Sequence, residues 1–192
     1  MQPIGILALQ GDYHKHAQKL EGIGASVLFV REPKDLNGIS GILLPGGEST
    51  TMGKLLVNYN LLDPLKKRIE EGLPVFATCA GTILLAKDIV NSDQPRLGVL
   101  DISIKRNAYG RQIESFEAYI PVTIPQTHEV ECIFIRAPQI KRIGGSIEVL
   151  AEYENLPILI KSGNIIAATF HPELSEDTSI QRYFMDICKN NQ

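Results

Sequence analysis

What most limits how this chain can fold is the rhythm of its first half. Runs at 4–9, 26–30, 41–44 and 75–77 are almost wholly apolar rather than alternating, and glycine or proline closes the first three: Gln10-Gly11, Pro33 and Pro45-Gly46-Gly47. Between them, 13–23 and 55–69 carry helical spacing, the second with an expected break near 58–60 and Pro64, and 82–87 begins another helix. A strand that is apolar at every position needs cover on both faces. Helices alternating with such strands supply that cover, and parallel strands follow from the crossovers.

The second half changes character. Segments 115–124 and 130–135 read as strands with no helix between them, and 147–153, 158–161 and 165–170 follow, with Ser162-Gly163-Asn164 as a tight turn. A helix over 179–188 closes the chain. The expectation is an α/β fold: a three-layer α/β/α arrangement, flavodoxin-like, with a mostly parallel sheet and an antiparallel edge. With no repeat or linker, residues 1–192 read as a single domain, within the ~50–250 residues usual for one.

Composition excludes several classes. A net charge of −3 and a pI near 5.8 give no electrostatic case for nucleic acid. No apolar run approaches the ~18 residues that cross a membrane. The start, Met1-Gln2-Pro3-Ile4, does not read as a signal peptide. Three cysteines, Cys79, Cys132 and Cys188, are too few and too far apart for a disulfide framework or a zinc site, so a reducing cytoplasm is expected. No metal and no cofactor are expected.

Val75-Phe76-Ala77-Thr78-Cys79-Ala80-Gly81-Thr82 carries the chemistry. A buried strand, one cysteine, two small residues and a helix make a nucleophile elbow. The sulfur then sits at the C-terminal end of a parallel strand, where α/β sheets hold their ligands, and near a helix N-terminus that favours thiolate. Taken alone, a lone Cys is more often structural, and Cys132 and Cys188 read that way. A thiol nucleophile needs a base, and the base needs an orienting partner. His171-Pro172-Glu173 ends the strand at 165–170 and offers both. His14 and His16 lie near what reads as an exposed helix start, and His128 in a polar loop. Leu44-Pro45-Gly46-Gly47-Glu48-Ser49-Thr50-Thr51 pairs two glycines with a helix start capped by Ser49 or Thr50. Attack on an amide creates an oxyanion that wants two backbone donors, and Gly47 and Ala80 are the candidates.

Together these pieces resemble the class I glutamine amidotransferases, and more closely the family of glutaminase subunits of pyridoxal phosphate synthase. The closer likeness rests on Leu7-Ala8-Leu9-Gln10-Gly11, the 44–51 segment, Arg106-Asn107-Ala108-Tyr109-Gly110-Arg111-Gln112, Phe134-Ile135-Arg136-Ala137-Pro138 and Phe170-His171-Pro172-Glu173-Leu174. The resemblance implies a triad of Cys79, His171 and Glu173. It implies L-glutamine contacts at Gly47, Glu48, Ser49, Arg106, Ile135 and Arg136. Guanidinium groups suit the α-carboxylate of glutamine. It further implies a synthase subunit as partner in a hetero-oligomer, which receives the ammonia and raises a weak resting activity. One departure is that Ala77 stands where the class pattern has glycine; another is Thr82, where leucine is common. Rival readings are the glutaminase subunit of another amidotransferase, a γ-glutamyl hydrolase, and a non-catalytic regulatory subunit.

Overall fold

The computed structural model describes residues 2–106, 108 and 115–191. Much of the 106–112 family segment therefore lies outside the described residues. In chain order the elements are β1 (Ile4–Leu7), α1 (Tyr13–Gly22), β2 (Val27–Val30), β3 (Gly41–Leu44), α2 (Ser49–Asn58), α3 (Leu62–Glu70), β4 (Val75–Thr78), α4 (Ala80–Leu85) and β5 (Ala86–Ile89). Then come β6 (Leu100–Lys105), β7 (Ser115–Thr123), β8 (Thr127–Ile135), β9 (Gln139–Ile143), β10 (Glu148–Tyr153), β11 (Leu156–Ser162), β12 (Ile165–Ala168) and α5 (Ser179–Asn190).

The main sheet has seven strands in the order β10-β11-β12-β4-β3-β1-β2. The five from β12 to β2 run parallel, while β10 and β11 are antiparallel additions at one edge. Successive side chains of a strand point to opposite faces, so one apolar run feeds two cores. Val75 and Ala77 join one cluster with Met52 and Leu56 of α2, Leu65 of α3 and Leu84 of α4. Phe76 between them joins the other, with Leu20 of α1 and Phe184 of α5. Each such fully buried Leu, Ile or Phe contributes about 1.5–3 kcal/mol. This is the layered α/β arrangement that the sequence predicts, including the break between α2 and α3 and the turn at Gly163-Asn164.

Three expectations needed correction. The helix begun at 82–87 starts earlier and stops at Leu85; 86–89 becomes β5, because Ala86 and Ile89 pair with Leu100 and Ile104 of β6. With β9 these form a three-stranded sheet that no local pattern revealed. Strands β7 and β8 are not part of the main edge but a separate two-stranded hairpin, packed against β10. Aromatic rings explain that docking: Phe116 and Phe134, stacked at 4.4 Å within the hairpin, both meet Tyr153 of β10, at 5.3 and 5.7 Å, and Phe134 meets Phe170 at 5.7 Å, just before His171.

Candidate active site

Cys79 occupies the single-residue turn between β4 and α4, with φ of 46°. A non-glycine residue in that region costs about 1–3 kcal/mol and persists only where its surroundings hold it. Here the Cys79 N–H donates to the carbonyl of Ala168 on β12 (2.9 Å), and the Thr82 hydroxyl donates to the same oxygen (2.6 Å). Gly81 allows the tight passage of α4 over β3, since a Cβ there would lie 2.2 Å from the Leu44 carbonyl oxygen. Ala77 sits two residues before Cys79 on β4, in regular register with Leu44 and Ala167 and without positive φ. Its methyl group therefore fits where the class pattern has glycine. Ala80 opens α4, so its N–H has no acceptor within its own helix.

Past the end of β12, the His171 N–H donates to the Ile133 carbonyl of β8 (2.8 Å), so the hairpin fixes the backbone of this turn. Nδ1 of His171 lies 2.8 Å from Oε1 of Glu173, and its ring is hydrogen-bonded to Cys79. Burial, the largest single influence, pulls the His171 pKa down. Hydrogen bonds to Cys79 and Glu173, with their charges, outweigh it and hold the imidazole up at about 10. Burial likewise works against ionised Glu173, but its bond to His171 and the charge on that ring keep its pKa below the usual carboxylate value.

His16 corrects the sequence reading, which set it at an exposed helix start. It is fully buried on α1, with Nε2 3.4 Å from Oε2 of Glu173 and 3.2 Å from the Thr78 hydroxyl. The available signal was its place beside Ala17 and Leu20 on the buried stripe of α1. Desolvation lowers its pKa despite the opposing charge of Glu173, so the ring is neutral.

In front of the sulfur lies a pocket of about 370 Å³ that takes in Gly46, Gly47, Glu48, Ser49, Cys79, Arg106, Ile135, Arg136 and His171. Glu173 and Ala80 lie behind this lining. Gly46 packs against the imidazole, and a Cβ there would stand 2.6 Å from Cε1 of His171. The Gly46 carbonyl accepts from the Asp12 N–H (3.3 Å), which turns the Gly47 N–H to the other side of that trans peptide. The cap of α2 is Glu48, rather than Ser49 or Thr50. Its carboxylate accepts from the N–H groups of Thr50 (3.1 Å) and Thr51 (2.7 Å) and pairs with Arg106 at 3.2 Å. Partial burial would raise the Glu48 pKa, but the bonds from Thr51 and Thr50 outweigh it and bring it to about 2.

Two glutamines that the sequence reading did not place in the site support this wall. Oε1 of Gln10 accepts from the Glu48 N–H (2.8 Å). Oε1 of buried Gln94 accepts from Arg106 (2.7 Å) and from the Thr50 hydroxyl (3.2 Å). Arg136 follows β8 with φ of 44°, next to half-exposed Ile135. Cys132 and Cys188 lie outside the pocket; burial pushes both thiols up to about 12, as befits core residues.

Comparison with known proteins adds to this geometry. The sequence profile of the SNO glutamine amidotransferase family matches residues 6–190. The pyridoxal 5'-phosphate synthase subunit PdxT of Thermotoga petrophila is 50% identical over 186 residues, covering 97% of this chain and 99% of the relative. That of Pelotomaculum thermopropionicum is 50% identical over 185 residues, covering 96% and 94%. A crystal structure of a glutamine amidotransferase superposes with a TM-score of 0.92 at 46% identity, covering 97% of this chain and 98% of the other. The structure of PurLQS from Thermotoga maritima reaches 0.72 at 15% identity, with both chains fully covered, and shows a shared fold alone.

Proposed function

The chain belongs to the SNO glutamine amidotransferase family, and from that premise we propose that it is the glutaminase subunit of pyridoxal 5'-phosphate synthase. It hydrolyses L-glutamine to L-glutamate and ammonia and passes the ammonia to a synthase subunit in a hetero-oligomer. The observation that carries the reading is that Cys79 and His171 line the same pocket as the glutamine-binding candidates, with Glu173 behind them in a 2.8 Å Nδ1–Oε1 contact with His171.

The raised pKa of His171 sets the order of proton moves. An imidazole held at about 10 already carries its proton at neutral pH, and because thiolate is the nucleophilic form of cysteine, attack proceeds from the thiolate–imidazolium pair. The Cys79 thiolate adds to the side-chain amide carbon of glutamine. The N–H groups of Gly47 and Ala80 stabilise the resulting oxyanion. The imidazolium protonates the amide nitrogen, the C–N bond breaks, ammonia departs, and a γ-glutamyl thioester remains. Neutral His171 then takes a proton from water, the hydroxide adds to the thioester carbon, and the C–S bond breaks. Glutamate leaves and the ion pair is restored. Glu173 keeps Nδ1 protonated throughout.

Arg106 and Arg136 suit the α-carboxylate of glutamine, and ionised Glu48 its α-ammonium group. Gly47, Ser49 and Ile135 complete the contact surface. Three unpaired cysteines fit a reducing cytoplasm. Partner docking acts by setting the Gly46–Gly47 peptide, a unit that turns at low cost because neither residue has a side chain.

Glutamate release from glutamine, measured with the chain alone and with the synthase subunit added, tests the reading. Activity that rises with the synthase and disappears in Cys79→Ala supports it. Full activity in Cys79→Ala removes the mechanism, and equal rates with and without synthase remove the activation.

A further inference from the structure

We propose that His16 is a positioning residue that extends the triad to a fourth member, Cys79–His171–Glu173–His16. This deepens the glutaminase reading and rests on it. The observation is a buried imidazole at the back of a buried carboxylate. Oε1 of Glu173 is engaged by His171, while Oε2 faces Nε2 of His16 at 3.4 Å. Among the described residues, neither Oε2 of Glu173 nor Nδ1 of His16 has a hydrogen-bond partner.

The surroundings decide the tautomer. If Nε2 were bare, its lone pair would face a carboxylate, and the N–H on Nδ1 would be buried without an acceptor. Placing the hydrogen on Nε2 directs it between Oε2 of Glu173 and the Thr78 hydroxyl, and leaves only a lone pair on Nδ1. The charged groups around the ring are Glu173 and His171 on the turn after β12, and Asp12 one turn earlier on its own helix; β4 presents only the neutral Thr78. A neutral N–H facing the second oxygen offsets its negative charge without adding a charge that would compete with His171 for Glu173. It stops rotation of the carboxylate about its own axis, and so holds Oε1 in line with Nδ1.

The test uses the chain assembled with its synthase subunit. In His16→Leu, kcat should fall about 10–100-fold, the scale on which partners behind an oriented imidazole act, while KM stays near its starting value. His16→Gln, whose amide N–H reaches toward the Nε2 position, should recover most of the loss. A wild-type kcat in His16→Leu, a change confined to KM, or a Gln variant no better than the Leu variant would overturn the proposal. Should the Leu variant not fold, ¹⁵N NMR of the wild-type protein decides, with ring resonances assigned through bonds. A neutral ring protonated at Nε2 supports the role; a ring protonated at Nδ1 overturns it. An inactive wild-type complex would instead overturn the glutaminase reading, and leave the tautomer measurement standing.

Discussion

The two walls of the pocket are held by different physics. On the wall of the proposed triad, Cys79, His171 and Glu173 are each 7% exposed or less, and they stand at strand ends of one sheet. On the wall proposed to hold substrate, Glu48 and Arg106 have side chains 49% and 31% exposed, and they are held by hydrogen bonds among loops and a helix start. Bond-making needs charges fixed where water does not reorganise around them. Grip on a small polar substrate tolerates solvent and depends on complementary charge. The difference teaches that one pocket can be rigid where it reacts and adaptable where it binds.

If the contrast is right, the largest effects come from the buried wall. Cys79→Ala should reduce glutamine hydrolysis to background while the chain still folds, since the change removes only the sulfur. In that variant His171 loses the bond and the charge that raise it, so its pKa should move well down from about 10, as an NMR titration reads. An unchanged His171 titration would break the ion-pair account. The stability linkage has a definite sign. The folded-state pKa of His171 lies above its unfolded value of 6.5, so its stabilisation is complete below 6.5 and is lost as pH rises toward about 10.

Next is Glu173→Gln, which removes the charge facing the imidazolium. Its kcat should fall about 10²–10⁴-fold, the range of a general acid–base contribution, with KM little changed. A loss seen mainly in KM would place Glu173 on the wrong wall. Arg106→Ala belongs to the open wall and should raise KM about tenfold, with a smaller change in kcat, which corresponds to one charge-assisted hydrogen bond of about 1.5 kcal/mol. Smallest is Glu48→Ala, measured as stability: the loss of a carboxylate at the start of α2 should cost about 0.3–1 kcal/mol. Because the folded pKa of Glu48 is depressed to about 2, that difference should be full above 4.5 and fade as pH falls toward 2.

Much of the buried wall was legible in the sequence, and for a physical reason. A fully apolar strand, a small-residue turn and a His-x-Glu at a strand end are local patterns, and in a parallel sheet all strand ends meet at one edge. The elbow at Cys79 and the turn at His171 follow from that alone. His16 did not follow, because a histidine on a helix declares its surroundings only once the helix is docked. Arg106 and Arg136 came from family likeness, since nothing local distinguishes a binding arginine from a solvated one. Gln94 sits in a loop with no periodicity. The β5-β6-β9 sheet pairs strands whose partners lie outside any short window, and β7-β8 reads as edge strands until Phe116, Phe134 and Phe170 are seen to pack together.

The carbonyl oxygen of Ala168 has a mechanical consequence. It receives both the Cys79 amide and the Thr82 hydroxyl, so a single atom on the histidine-bearing strand pins the cysteine-bearing turn at two points. Prising the two strands apart at this level means breaking both links together. The gap between sulfur and imidazole is thereby a fixed dimension of the scaffold, and under the proposed activation a docking partner acts on the loops that surround that gap rather than on the gap itself.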